Sequence, residues 1–212
     1  MYWPIGQIQQ SFPVLLGWWI RENTKARNLW PGLITSRMTD ERGVTEVLNQ
    51  IMVSRGFLPD VSGQVHFSMK AFLRDSTSLR TTLENGPYRR GALVPPSPWL
   101  DNNPPLPPSV STFAGSDSIL IAWSHPLPSD VFRWVVYFRY GTSWEYEILV
   151  HADTQLWLPV EREHRLPTGT PATLPATERL MEIAVTAIDR TGNESSMHFI
   201  GVDRQTPPGA GR

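Results

Sequence analysis

Two hydrophobic periodicities divide the chain. Up to about Leu100, apolar residues recur at the roughly 3.6-residue spacing of helices, in stretches that alternate with short apolar runs. The helical stripes consist of Phe12, Leu15, Leu16, Trp19 and Ile20, and of Val44, Val47, Leu48, Ile51 and Met52. The short runs at 1–5, 28–34 and 63–67 predict strands. Strands that alternate with helices are typical of parallel βαβ units, so this half is predicted to be α/β.

Capping signals set the predicted helix limits. Ser11 precedes the first stripe and Pro13 falls in its first turn, and both residues are favoured at helix N-termini. A short helix is predicted around 76–85, closed by Gly86 at the position where a left-handed backbone favours glycine. The helices of the first half are therefore predicted from periodicity and capping together.

A proline-rich stretch at 95–106 is predicted to be a stiff connector, because proline removes backbone donors and favours extended geometry. Beyond it, apolar residues alternate with a period of two. The alternating positions are Ile119, Ile121 and Trp123; Trp134, Val136 and Phe138; and Met181, Ile183, Val185 and Ala187. This alternation, repeated between turn signals, predicts an all-β sandwich with Trp123 and Trp134 in its core.

Composition excludes several classes of partner. The chain has 212 residues and a formal net charge of −1, without the concentrated basic field that binds nucleic acids or membrane surfaces. No apolar run approaches the roughly 20 residues of a membrane span, and the lack of cysteine removes thiolate chemistry. No phosphate-binding glycine loop, HExxH helix or serine nucleophile elbow occurs, so no cofactor or metal is predicted. We expect no nucleic-acid partner and no membrane span, and the oligomeric state stays open.

Several motifs of the second half match one family of sandwiches. They are Pro107-Pro108, Trp123, the run Trp134-Val135-Val136-Tyr137, and the run VTAIDRTGNES at 185–195. On these motifs the segment 107–203 resembles a fibronectin type III domain, followed by a flexible tail at 204–212. The family's corner tyrosine would fall at Met181, so its hydrogen bond is expected to be missing. The stretch 161–177 is longer than such a domain needs and is predicted to be a surface insertion.

Motifs of the first half match a second family. They are Tyr2-Trp3-Pro4-Ile5, Leu15-Leu16, Trp18-Trp19, Leu29-Trp30-Pro31-Gly32-Leu33, Val47-Leu48-Asn49-Gln50-Ile51, the run GQVHFSMK at 63–70, and Ala92-Leu93-Val94-Pro95-Pro96 ahead of Pro98-Trp99-Leu100. On them, 1–94 resembles the end of the glycosyl hydrolase-like 10 family, whose members carry a (β/α)8 TIM barrel. The resemblance implies the last three βα units of such a barrel, in the C-terminal part of a longer protein. It further implies an extracytoplasmic glycoside hydrolase that acts on a polysaccharide, including the peptidoglycan glycan strand of cell walls.

The resemblance also places candidate substrate-binding residues, because barrel enzymes form their sites where strands end. Tyr2 and Trp3 could stack on a sugar ring, with packing in the barrel interior as the alternative. Arg37 and Lys70 could bind substrate hydroxyls or a carboxylate, or be plain surface groups. Ser68 could form a hydrogen-bonding wall of the site.

Catalytic carboxylates are missing from the predicted strand ends. Glycoside hydrolysis usually needs two carboxylates at the scissile bond. The nearest, Asp40 and Glu41, precede the second helical stripe and are expected to cap that helix. The catalytic pair is therefore expected upstream of Met1, and this chain alone is expected to be inactive. His66, inside the third predicted strand, is expected to be a hydrogen-bonded core histidine.

A second function stays open, namely a non-catalytic module in which the sandwich binds a glycan or a protein. Trp144, Tyr146 and Trp157 could form a carbohydrate-binding patch, because a flat aromatic ring suits a pyranose. Core or inter-strand packing is the alternative role for these three residues. Acidic strand ends in additional βα units would favour the enzyme over the module.

Overall fold

A computed structural model describes residues 3–36, 40–58, 63–74, 78–163 and 177–202. The chain divides into two compact units, Met1–Ser97 and Pro98–Arg212. The first unit is α/β with parallel strands, and the second consists of antiparallel sheets that resemble a fibronectin type III domain. The change of fold class predicted from the two periodicities is therefore confirmed.

The first unit packs helices on a pair of short parallel strands. Its elements are α1 (Phe12–Glu22), β1 (Gly32–Ile34), α2 (Glu41–Phe57), β2 (Val65–Phe67), α3 (Lys70–Arg74) and α4 (Leu79–Asn85). Leu33 of β1 lies opposite His66 of β2 in the parallel register. Helix α3 was not predicted. Helix α4 begins after Ser78 and is followed by Gly86, as expected, but the φ of Gly86 is −115°, so the left-handed conformation implied by the capping signal is not observed.

One apolar cluster joins the helices to β1. Its buried members are Phe12, Leu16, Leu33, Val44, Val47, Ile51, Leu79 and Leu83. The stripe on α1 is narrower than predicted, since Trp19 is 47% exposed. Phe12 and Leu16 face the core, whereas Trp19 lies beside Trp18 with ring centroids 5.0 Å apart in an edge-on arrangement. The sequence therefore placed α1 correctly and overestimated the width of its buried face.

The strand predicted at 1–5 is wrong for its described part, since residues 3–5 form no strand. Pro4 has no backbone donor, and side chains of α2 occupy the neighbouring backbone groups. Glu46 Oε1 accepts a hydrogen bond from the Ile5 amide at 2.7 Å. Gln50 Nε2 donates to the Trp3 carbonyl at 3.3 Å. The segment is thus held by a helix rather than by a neighbouring strand.

The described residues of the second unit form two antiparallel sheets. Its strands are β3 (Ser109–Ala114), β4 (Ser118–Ser124), β5 (Arg133–Tyr140), β6 (Ser143–Val150), β7 (Gln155–Pro159), β8 (Glu161–Glu163), β9 (Thr177–Ile188) and β10 (Ile200–Gly201), with a 3-10 turn at Pro128–Asp130. One sheet has the order β3-β4-β7. The other has the order β10-β9-β5-β6, with β8 added to β9.

Tryptophans fill the space between the two sheets, as predicted. Trp123 of β4 is 4% exposed and Trp134 of β5 is 3% exposed. Their ring centroids lie 6.2 Å apart in an edge-to-face arrangement, which the ring quadrupoles favour. The indole N–H of Trp134 donates to the His151 carbonyl at 3.1 Å, which satisfies its polar edge.

A β-bulge displaces Met181 from the core. Arg139 pairs with Glu182, while the next residue, Tyr140, pairs with Leu180, so Met181 is the extra residue of β9. Leu180 is fully buried and Met181 is 41% exposed. The prediction that Met181 continues the core-facing alternation is therefore wrong, because the bulge shifts the pleat by one residue.

A tyrosine hydrogen bond does occur, at a different position from the family's corner. The Tyr140 hydroxyl donates to the Pro159 carbonyl and so links β5 of one sheet to the end of β7 in the other. The guanidinium of Arg162 lies 4.0 Å above the Tyr140 ring and pairs with Glu145 at 2.6 Å. These contacts link β5 to β7, β8 and β6.

Part of the proline-rich stretch packs on the second unit. Pro105 is buried, and His125 Nε2 donates to the Leu106 carbonyl at 2.8 Å. Asn193 Nδ2 donates to the Asp101 carbonyl at 3.2 Å. These contacts fix two points of the stretch to the sandwich. The domain boundaries at 94, 106 and 203 stay predictions.

Candidate functional site

The ends of β1 and β2 meet at one edge of the first unit. Buried Thr35, directly after β1, donates from its hydroxyl to the Ser68 carbonyl at 3.1 Å. The amides of Thr35 and Ser36 both donate to the Phe67 carbonyl, at 2.7 and 3.1 Å. Hydrogen bonds between the two parallel segments thus continue beyond the end of β1 and the end of β2. Thr35 was not predicted as a site residue, although a polar residue directly after an apolar run was the available signal.

Three predicted substrate-binding residues lie in the described part of the chain. Ser68 is half-buried at the end of β2, and Lys70 is exposed at the start of α3. Trp3 is 45% exposed and its carbonyl is held by Gln50. Tyr2 and Arg37 lie outside the described residues. The structure therefore brings Ser68 to Thr35, and the binding roles stay predictions.

A half-buried polar triad lies on the helix-facing side of β2. His66 Nε2 is 2.8 Å from the Tyr88 hydroxyl, which donates to Gln64 Oε1 at 2.9 Å. Burial lowers the pKa of His66 and raises the pKa of Tyr88 to about 12, against the opposing charge of Arg55. His66 shares the register of core residue Leu33. The position fits the hydrogen-bonded histidine expected from the sequence.

Two carboxylates in the first part of α2 and at its N-cap hold backbone groups. Asp40 accepts from the Gly43 amide at 2.9 Å and is the N-cap of α2, as predicted. Glu46 accepts from Ile5 and also from Gln50 Nε2 at 2.8 Å. These two side chains have structural partners and form no acid–base pair. Among the residues that the structure describes, no group of three His, Asp or Glu side chains could hold a metal ion.

The aromatic patch predicted on the sandwich is divided between its sheets. Trp144 and Tyr146 alternate on β6 and share one face of the five-stranded sheet. Trp157 belongs to β7 of the three-stranded sheet and is 56% exposed. The structure thus joins two of the three predicted residues. It brings Arg139 beside Trp144, because the two are register partners.

The motif that carried the sandwich resemblance forms a closed turn. Asp189 accepts hydrogen bonds from the Thr191 amide and hydroxyl at 2.8 and 2.9 Å, and from the Asn193 amide at 2.9 Å. Gly192 has a φ of 87°, which glycine adopts without strain. Burial opposes ionisation of Asp189, but the hydrogen bonds from Asn193 and Thr191 outweigh it and lower the pKa. This carboxylate stabilises the turn.

No helix in the described part of the chain is long and apolar enough to cross a membrane.

Comparisons with known proteins point to glycoside hydrolases in part. No family model matches the chain. Glycosyl hydrolase YngK of Bacillus subtilis strain 168 is 30% identical over 117 residues, which cover 52% of this chain and 23% of that protein. The match therefore spans about a quarter of the relative's length. The chain is distantly related to a glycosyl hydrolase, and the relation is partial.

Solved structures give weaker likenesses. A fibronectin type III domain of human collagen XX is 16% identical with a TM-score of 0.31, covering 46% of this chain and 90% of that one. The spore cortex lytic enzyme SleM of Clostridium perfringens is 14% identical with a TM-score of 0.31, covering 90% of this chain and 75% of that one. At these scores neither likeness carries an argument about function.

Proposed function

We propose that the chain is part of a glycoside-hydrolase-like protein that acts on a polysaccharide, including cell-wall glycan. In this proposal the first unit is the closing portion of a (β/α)8 barrel, and the sandwich is a spacer or anchor. The observation that carries it is the 30% identity to a glycosyl hydrolase over 117 residues. An extracytoplasmic location belongs to the proposal and rests on the family resemblance.

The uncovered face of the parallel strand pair supports the barrel. Leu33 and His66 face the helices, so the alternating neighbours Ile34, Val65 and Phe67 face the opposite side. Val65 is 53% exposed and Phe67 is 56% exposed. In a (β/α)8 barrel this side is the interior, where layers of side chains from all strands pack together. Further strands would bury these apolar side chains.

The outer flank of α1 supports the same arrangement. Val14, Trp18 and Trp19 are 62%, 45% and 47% exposed. A contiguous group of large apolar side chains on a helix marks a surface that another element covers. In a barrel, that element is the neighbouring helix of the outer ring. Further βα units, in addition to those in the described part of the chain, would cover both exposed surfaces.

In this proposal the chain supplies a wall of the site rather than its acid and base. The carboxylates of Asp40 and Glu46 are committed to backbone amides, so they cannot flank a glycosidic bond without releasing those amides. Ser68 and Lys70 can offer a hydroxyl and an ammonium group to sugar hydroxyls, and Trp3 an aromatic face. Tyr2 and Arg37 complete the proposed substrate-binding set. The catalytic pair would come from other barrel strands.

The test compares the 212-residue chain with the same chain extended upstream by the proposed barrel units. Both are incubated with denuded peptidoglycan strands and soluble polysaccharides, and new reducing ends are scored. We expect turnover only from the extended protein, because a site without two positioned carboxylates cannot stabilise the transition state. In the extended protein, Ser68→Ala should raise KM more than it lowers kcat. Turnover by the 212-residue chain, lost on Asp40→Asn, would contradict the proposal.

A further inference from the structure

An aromatic and charged cluster covers the outer side of the five-stranded sheet. Phe138 of β5 is in the core, so its neighbours Tyr137 and Arg139 point away from it. Tyr137 pairs with Tyr146, and Arg139 pairs with Trp144 on one side and Glu182 on the other. We call this set the aromatic face; its members are Trp144, Tyr146, Tyr137, Arg139, Glu182 and Phe199.

Two aromatic residues of this face remain accessible. The rings of Trp144 and Phe199 have centroids 5.3 Å apart and are tilted by 57°. Trp144 is 42% exposed and Phe199 is 55% exposed. Tyr137 lies deeper and donates its hydroxyl to Glu194 Oε1 at 2.8 Å, and burial together with that carboxylate raises its pKa. Tyr137 therefore serves as support, and Trp144 and Phe199 present the outer surface.

A fixed ion pair lies beside the exposed indole. Arg139 Nε and Nη2 both contact Glu182 Oε2 at 2.8 Å, and Arg139 Nη1 donates to the Gly141 carbonyl. The guanidinium carbon lies 5.8 Å from the centroid of Trp144. Glu182 Oε1 has no hydrogen-bond donor among the described residues, and the Glu182 side chain is 36% exposed. The pair thus fixes a carboxylate acceptor on β9, across Arg139 from the indole of Trp144 on β6.

We propose that the aromatic face binds sugar rings of a polysaccharide, with a pyranose stacked on Trp144 and a sugar hydroxyl donating to Glu182 Oε1. A pyranose has an apolar C–H face and a rim of hydroxyls, which matches a flat indole with a carboxylate acceptor held on the far side of Arg139. The outward carboxylate disfavours a nucleic-acid strand. The choice of a glycan over a peptide rests on the proposed function.

The experiment uses the full 212-residue chain with chitohexaose and cellohexaose as probes. Binding is measured by calorimetry and by quenching of tryptophan fluorescence. We expect at least one probe to bind, and Trp144→Ala to weaken that binding by about tenfold or more. Trp144→Phe, which keeps a ring, should lose less. Trp157→Ala is the matched control, because it removes an exposed tryptophan from the opposite sheet and should leave the affinity unchanged.

The proposal is overturned if neither probe binds at millimolar concentration, or if Trp157→Ala and Trp144→Ala weaken binding equally. Folding is checked by far-UV circular dichroism, and Trp144→Phe carries the test if Trp144→Ala fails to fold. The result of this binding experiment does not depend on whether the extended protein hydrolyses a glycan. Binding without turnover by the extended protein would contradict the hydrolase alone, and turnover without binding at Trp144 would contradict this surface alone.

Discussion

Tryptophan side chains in the sandwich range from buried to half-exposed, and their environments separate structural from surface roles. Trp123 is 4% exposed, and its indole N–H has no hydrogen-bond partner among the described residues. Trp157 is 56% exposed although it is also on a strand. The period-two pattern correctly predicted burial of Trp123. On the edge strands β6 and β7 the alternation places Leu149 and Leu158 against the core, and Trp144 and Trp157 on the outer faces.

Replacement of Trp123 by alanine should destabilise the sandwich by about 3–5 kcal/mol, through lost burial and a cavity. Trp157→Ala is the control and should cost less than about 1 kcal/mol, because its side chain is largely in solvent. Urea unfolding followed by circular dichroism measures both values. Equal losses for the two variants would show that Trp123 does not lie between the sheets.

Acid should destabilise the first unit through His66. Burial lowers its pKa below the usual 6.5, so below that pH the unfolded chain takes up a proton that the folded chain does not. Titration of His66 therefore leaves the free energy of unfolding unchanged at pH values above the ordinary histidine pKa. As the pH falls below that value, the free energy of unfolding decreases. His66→Gln cannot titrate and should flatten that part of the profile. Urea unfolding at neutral and mildly acidic pH tests this, and identical pH slopes for both proteins would refute it.

At the scale of elements, the hydrophobic periodicity predicted the helices that pack against a core. It did not predict segments that are held by side-chain hydrogen bonds or strands that pair irregularly. Helices α1 and α2 were predictable because Phe12, Leu16, Val47 and Ile51 recur on one face. The segment at residues 3–5 resembles a strand in composition, yet Glu46 supplies its hydrogen bond from a helix. A contact so distant in sequence leaves no local signal.

The bulge in β9 reverses the expected consequences of two neighbouring substitutions. Simple alternation places Met181 in the core and Leu180 outside, whereas the structure buries Leu180 completely and exposes Met181. Leu180→Ala should therefore cost about 2–5 kcal/mol. Met181→Ala should stay within about 0.5 kcal/mol. Denaturant midpoints of the two variants decide the register, and a larger loss for Met181→Ala would exclude the bulge.

At the scale of the whole molecule, the sequence predicted two units of different class but only part of a site. The strand ends were located from the apolar runs, and Ser68 lies directly after β2 as expected. Thr35 was missed because its role depends on pairing with a carbonyl across the sheet. The aromatic face was only partly foreseen, since Phe199 reaches Trp144 from outside any strand. Contacts of this kind can be predicted only when the pleat and the strand register are known.

The proline-rich stretch has a consequence for recombination of the sandwich as a module. Its carbonyls at Asp101 and Leu106 accept hydrogen bonds from Asn193 and His125 of the sandwich. A gene fusion that starts at Pro107 would leave both donors without these acceptors. A fusion that starts at Pro98 would keep Asp101 and Leu106, and with them both hydrogen bonds. When the sandwich is transferred between proteins, in evolution or in the laboratory, a junction near Pro98 should therefore be favoured over one directly before β3.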